Sequence, residues 1–318
     1  MSISTKYIPQ NDMLGSSLTI IFKDFKYDGG FLNSIRRILM EYIPTYGFDR
    51  ELIKFTKNTN YQNPDQLSLR LSLIPVLGVS TDLLFINDNR WKKVNYEKAE
   101  DEFPEEKQYD VRIHVSNPYD KFKDVTTNDF NIFVNGVQIE NPYNQKHPML
   151  ITRLRTGEEI TCNMIAKIRL GILNNTWSPV YNTYFAKQEG TENDYKIVIH
   201  SYGQKSEKEL FIQAIDVILY RLNNIIKPII LQNIENYDEK EIKFYIEDKS
   251  LANILTASMK NDPDVLFVGV KIISYLDPNV DLIVKISDKA DLKKILTKHI
   301  DNINKIYNEI KTEFNKNK

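Results

Sequence analysis

The residues in this chain whose types could do chemistry are few and widely scattered. Its four histidines, His114, His147, His200 and His299, stand far apart, and none has a partner at metal-ligand spacing. The single cysteine, Cys162, excludes an internal disulfide and a thiolate-rich zinc or iron–sulfur site. The pair Gly29-Gly30 lacks the lysine and third glycine of a phosphate-cradling loop, so it reads as a turn. Gly15-Ser16-Ser17 is not a nucleophile elbow, and Asp262-Pro263-Asp264 reads as a loop between elements rather than a set of metal ligands. Glu97, Glu100, Asp101, Glu102, Glu105 and Glu106 crowd one stretch without regular ligand spacing, which is the pattern of a solvated surface loop. No catalytic, cofactor or metal site is expected, and a stand-alone enzyme is disfavoured.

The elements around these residues explain the order of the chain better than any catalytic scheme. A strand over Leu18–Phe25 and a turn at Asp28-Gly29-Gly30 lead into a helix from Phe31 to about Tyr42, with Leu32, Ile35, Leu39 and Tyr42 on one face. Pro44 ends that helix, and a strand over Tyr46–Phe55 completes a β-α-β unit. A short helix through Leu67–Leu73 follows, stopped by Pro75, and from about Val79 to Pro148 short alternating strands such as Val111–Val115 mark an inserted β-rich module.

Strands over Ile160–Leu170 and Tyr195–His200 precede a helix opened by the capping box Ser206-Glu207-Lys208-Glu209. Within it Phe211, Ile215, Ile218, Leu222, Ile225 and Ile229 recur at four-three spacing, a seam that packs lengthwise on another helix, and Pro228 is read as closing its last turn. Gln232-Asn233-Ile234-Glu235-Asn236 forms a junction. A shorter version of the same plan then runs through a strand Ile242–Ile246, a helix Ser250–Met259 and strands Val265–Ile273 and Val280–Ile286. A last helix, Ala290–Phe314, carries the seam Leu292, Leu296, His299, Ile303, Ile306 and Ile310. His299 on that apolar face reads as a satisfied core or interface residue. Burying both seams is simplest if one helix lies on the other, in a pseudo-twofold arrangement.

Composition agrees with a non-catalytic globular protein. The 318 residues allow two modest domains, and 42% hydrophobic with 27% charged residues is the usual soluble mix. No apolar run is long enough to cross a membrane and no leader is read at Met1–Gly15. Lys plus Arg number 42 against 43 Asp plus Glu, so the basic excess of a free-standing nucleic-acid binder is missing.

Several segments then carry a resemblance. Asn33-Ser34-Ile35-Arg36-Arg37-Ile38-Leu39, Ile43-Pro44-Thr45, Asn58-Thr59 and Leu69-Arg70-Leu71-Ser72-Leu73-Ile74-Pro75 resemble the third-largest subunit of eukaryotic RNA polymerase II, the archaeal D subunit and the N-terminal domain of bacterial alpha. Val125–Phe130, Ile151–Ile160 and Trp177–Val180 continue the series in the same order, from about residue 16 to 230. Glu247–Leu255 and Val265–Val270 are similar to the small partner of that subunit, the eleventh subunit or archaeal L. Ala252 stands where that partner usually has glycine, Thr256 near a usual arginine, and Ser274-Tyr275 replaces a His-Pro pair. The cysteines that some relatives hold in the inserted module are missing here.

The resemblance implies an α+β protein in which two alpha-type dimerisation units are fused in one chain as a pseudo-heterodimer, with a β-rich insertion in the first. The units fall at 1–56 with 182–235, at 57–181 for the insertion, and at 236–318. It implies a non-catalytic scaffold for the two large catalytic subunits of a DNA-dependent RNA polymerase, joined by a small tenth-subunit-like protein, without cofactor, metal or membrane and with little or no direct nucleic-acid contact. Asn33, Arg36, Arg37 and Arg70 are the implied large-subunit contacts, since an arginine fork suits carboxylates and backbone carbonyls. Without the resemblance, Arg36 and Arg37 read as a solvated helix face. Fusion is associated with large DNA viruses of the cytoplasm, so the viral factory and virion are the expected location, the nucleus the alternative. A homodimer is not expected; a homodimeric interaction module unrelated to transcription is the competing reading.

Overall fold

A computed structural model describes residues 2–8, 16–86, 106–234, 241–246, 249–272, 274, 280–288 and 290–316. Two hydrophobic cores organise them. The first is covered by a four-stranded antiparallel sheet in the order β1-β2-β11-β10, formed by Ser2–Ile8, Ser17–Lys23, Tyr195–Ser201 and Val180–Lys187. Helix α1 (Gly30–Glu41) buries Phe31, Leu32, Ile35, Ile38 and Leu39 in this core. The second core lies on a five-stranded sheet ordered β3-β9-β4-β6-β7, from Thr45–Asn58, Glu159–Arg169, Tyr109–Ser116, Asn131–Val134 and Val137–Ile139. Helix α2 (Pro64–Ser72) packs on it, and β5 (Lys123–Thr126) pairs with β8 (Leu150–Leu154) beside it.

This arrangement changes the expected β-α-β unit. After α1 the chain leaves the first sheet, and Tyr46, Phe48 and Ile53 of β3 are buried in the second core. β9 is the long partner of β3, and their ladder fixes β3 there from Thr45 to Asn58. A boundary after residue 56 therefore falls inside β3. Two strands of the first sheet, β1 and β10, carry too little alternation to stand out in sequence.

Glu106 is a second correction. Its carboxylate was expected in a solvated loop, yet it is 3% exposed, accepts from the Ile168 amide at 2.6 Å and lies 3.5 Å from Lys167 Nζ. A backbone donor and a lysine supply what water would have supplied, so burial is tolerated. The other five carboxylates of that stretch lie outside the described residues.

The long helix after the capping box is the third. Ser206 accepts from the Glu209 amide, and Glu209 returns a bond to the Ser206 amide, opening α3 (Glu207–Arg221) as expected. Pro228 does not end it: a π-helical turn over Leu222–Ile226 continues into α4, Lys227–Ile234. Proline lacks the amide an α-helix needs and clashes with the carbonyl four residues back; a π turn just before it widens the ladder and relieves both. The same turn shifts the apolar phase by one residue. Beyond Leu222 the buried positions are Ile226 and Ile230, while Ile225 and Ile229 are half-buried.

The C-terminal part forms a three-stranded sheet, β12-β14-β13, from Glu241–Ile246, Val280–Ile286 and Val265–Ile272. α5 (Lys249–Met259) packs on this sheet, and α6 (Leu292–Lys316) packs on α5. Its side chains join the first core, so Phe244, Leu255, Val284 and Ile303 pack in one cluster with Leu18, Ile35 and Phe211.

Candidate functional site

The seam between α6 and the α3–π–α4 helix is built from paired residues whose numbers rise on one helix as they fall on the other. Phe211 meets Phe314 with ring centroids 4.6 Å apart, and both rings are fully buried. Asp216 pairs with Lys311, Asn223 and Asn304 exchange side-chain bonds of 3.0 and 2.9 Å, and Lys227 lies 3.6 Å from Asp301. The two helices are therefore antiparallel. Of the residues assigned to the seam, Phe211, Ile215, Ile218, Leu222, Leu292, Leu296, His299, Ile303 and Ile310 are buried. Ile306, like Ile225 and Ile229, is half-buried; Tyr307 takes the inward place beside it. A 25-residue helix keeps to 3.6 residues per turn, and the expected four-three rhythm misses the buried stripe at Ile306, in the fourth turn, and meets it again at Ile310.

Tyr307 ties α6 to α1. Its hydroxyl and that of Ser34 share a hydrogen bond of 2.6 Å in a buried setting, and its ring lies 5.8 Å from that of Phe31. Nearby, Tyr27 donates to Glu309 at 3.0 Å, and burial followed by that carboxylate raises the Tyr27 pKa. Asn223, Asn304, Ser34 and Tyr307 were not singled out in sequence. The available signal was polar residues recurring between apolar seam positions.

His299 is held on both sides. Ser258 of α5 faces its Nδ1 at 2.9 Å and the Asp262 carboxylate faces its Nε2 at 2.9 Å. Lys298 also donates to Asp262 at 2.7 Å, and the Asp264 amide at 3.1 Å. The Lys298 bond first, then the Asp264 amide and His299, pull the Asp262 pKa down to about 2. A nucleophilic triad would place serine where a substrate can reach it and the carboxylate free of other cations. Here the lysine neutralises the carboxylate and the imidazole is 5% exposed, so the group is a clasp between α5 and α6. Among the described residues, no group of three or more His, Cys, Asp or Glu is placed to hold a metal, and no helix is long and apolar enough to cross a membrane.

The outward face of α1 carries Asn33, Arg36 and Arg37, all half-buried. Arg37 is already committed to Glu41, with both oxygens of that carboxylate within 3.2 Å. Arg36 donates Nε to Asn33 at 2.9 Å and directs Nη1 at the Met40 sulfur at 3.4 Å. Among the described residues no carboxylate pairs with it. Burial, then the neighbouring Arg37 charge, lowers its pKa from the usual value. Asn33 thus orients this cation on the outer face of the helix. Arg70 stands apart from this group, exposed on α2 over the second core.

Residues 239–313, which span β12 through most of α6, match the RNA polymerase Rpb3/Rpb11 dimerisation domain. Over 306 residues the chain is also 22% identical to a protein of Acanthamoeba polyphaga mimivirus named "Putative DNA directed RNA polymerase subunit R470", covering 88% of this chain and 85% of that protein. The dimerisation domain contributes α6 to the seam and β13 to the edge of its own sheet.

Proposed function

We propose that this chain is a non-catalytic assembly subunit of a multisubunit DNA-dependent RNA polymerase, in which both halves of the dimerisation platform are fused. The observation that carries this reading is the antiparallel seam: the helix of the matched domain lies along α3 and α4 of the preceding part, with Phe211 on Phe314 and Asn223 on Asn304. A dimerisation domain whose partner helix is in the same polypeptide has no need of a second copy. On this reading the elements of the first core up to residue 235 form the first half, β3 to β9 with the second core form the insertion, and 236–318 form the second half; the boundaries expected at 56 and 182 move to the ends of the strands they would cut, β3 and β10.

The partners are the two large catalytic subunits and a small tenth-subunit-like protein. Arg36 is the side chain best prepared to meet one of them, since it is oriented by Asn33 and, among the described residues, no carboxylate forms an ion pair with it. Arginine in such a setting takes a partner's carboxylate or backbone carbonyls through a planar fork. The relative's source supports a viral origin; action in the cytoplasmic factory and the virion, with the nucleus as the alternative, is part of the proposal.

The test is affinity purification of the tagged chain from cells actively transcribing its genome, with mass spectrometry and a promoter-independent RNA synthesis assay. Two very large chains and metal-dependent RNA synthesis in the eluate are expected. The chain recovered alone, or with unrelated partners, would refute the reading.

A further inference from the structure

The three-stranded sheet leaves one edge bare. β13 is terminal in the order β12-β14-β13, and among the described residues no strand pairs with its other side. Such an edge presents a row of unpaired amides and carbonyls, which proteins normally blunt with charge, proline, shortness or a bulge. β13 is blunted weakly. It is eight residues long, has no proline and carries one charge, Lys271. Its bulge sits at the start, between Val265 and Phe267, and the register with β14 is regular from Phe267 to Ile272. Leu266 is 70% exposed, Phe267 51% and Ile272 43%. By comparison β7 is three residues long and β1 carries Lys6.

The open face of the sheet adds a charge pattern. Phe267 lies opposite Lys285, Ile283 lies between Lys243 and Gly269, and Lys271 is opposite Asp281. The Phe267 ring leans over Gly269, where an added Cβ would sit 3.0 Å from its Cζ. Lys243, Lys271 and Lys285 are all exposed, Lys285 already has a partner within the chain, and Asp281 is the one carboxylate among the described side chains of this face. An apolar centre rimmed by lysines favours an occupant that is apolar at alternate positions and acidic at its flanks. A second copy of this chain would bring lysines onto lysines, which is unfavourable.

We infer that β13 is where an extended, acid-flanked segment of a large polymerase subunit joins the sheet as an added strand. Main-chain bonds supply the affinity in this mode, and side-chain pockets the choice of partner. The inference rests on the polymerase reading above. It is tested by hydrogen exchange on the free full-length chain and on the assembly purified through a tag on this chain. The amides of β13 that face away from β14 are expected to exchange at least tenfold more slowly in the assembly. A Leu266→Lys/Phe267→Lys variant, folded by circular dichroism, is expected to recover several-fold less of the large subunits. Equal exchange in both samples, with the large subunits present, overturns the inference and leaves the polymerase reading standing. Absence of the large subunits overturns both. Protection that appears in the free chain together with a dimer mass would identify a second copy as the occupant and overturn it as well.

Discussion

If α6 packs on α3 as described, Phe211 and Phe314 must be energetically coupled. Both rings are fully buried with centroids 4.6 Å apart, tilted by 47°. Replacing either by alanine would cost about 3–5 kcal/mol, so two alanines could consume the whole of a typical stability of about 5–15 kcal/mol. Leucine is the better probe, because it fills much of the space while removing the ring. Each Phe→Leu change should be destabilising, and the double variant should lose about 0.5–1.5 kcal/mol less than the sum of the singles, the range of a direct aromatic pair. The assay is urea unfolding followed by far-ultraviolet circular dichroism. The chain has two cores, so the transition reporting the helices is fitted separately from the fluorescence of Trp177, which lies beside Gly47 of β3, read in a Trp91→Phe background. Additivity within about 0.3 kcal/mol would mean that the rings do not touch, and the antiparallel seam would fall with them.

The phase shift at the π turn makes a second prediction: Ile226→Ala should cost about 2–5 kcal/mol, and Ile225→Ala clearly less, by the same unfolding measurement. Tyr307→Phe removes a buried hydrogen bond to Ser34 and should cost about 1 kcal/mol, with little further loss when Ser34→Ala is added. Asp262 has its pKa lowered from 3.8 to about 2, so its contribution is present above the unfolded value and is lost as pH falls through the folded one. Lys298 is largely exposed, so screening leaves about 1 kcal/mol, and the stability gap between wild type and Asp262→Asn should narrow between pH 5 and pH 2. Arg36→Glu should reduce co-purification of the large subunits at least tenfold. Arg37→Ala, which breaks an i,i+4 pair, should cost a few tenths of a kcal/mol in stability and little in assembly. Sedimentation of the free chain should give a monomer.

The sequence was legible where local chemistry decides the structure. The capping box at Ser206 and Glu209, the turn before α1 and the apolar face Leu32, Ile35, Leu39 and Tyr42 are all settled within a few residues of chain. Legibility failed where distant partners decide. β3 follows β9 into the second sheet because that partner lies more than a hundred residues away. Glu106 is buried because the Ile168 amide happens to face it. The expected seam positions are buried as far as Leu222 and half-buried at Ile225 and Ile229, since a π turn adds a residue that a fixed helical period cannot anticipate. Pro228 inside a continuing apolar pattern was the local sign that the ladder had to adjust. Arg36 and Arg37, adjacent and alike in sequence, part company only in three dimensions, where Glu41 occupies one and Asn33 aims the other.

On the proposed reading, fusion changes what the seam must accomplish. Two separate chains would have to overcome lost translational and rotational freedom, about 4–15 kcal/mol, before any contact registered as affinity. A short connection turns that association into an internal one at an effective concentration of about mM. The seam can then include pairs that add little stability, such as the half-exposed Asp216–Lys311 and Lys227–Asp301 bridges, and still remain closed. What those pairs and the Asn223–Asn304 exchange do provide is register. An antiparallel slide by one helical turn would leave both asparagines without each other in a largely apolar contact. Holding one register fixes how the face of α1 with Arg36 and the bare edge at β13 sit relative to each other, and a platform for two different large subunits needs those two surfaces held in a constant relation.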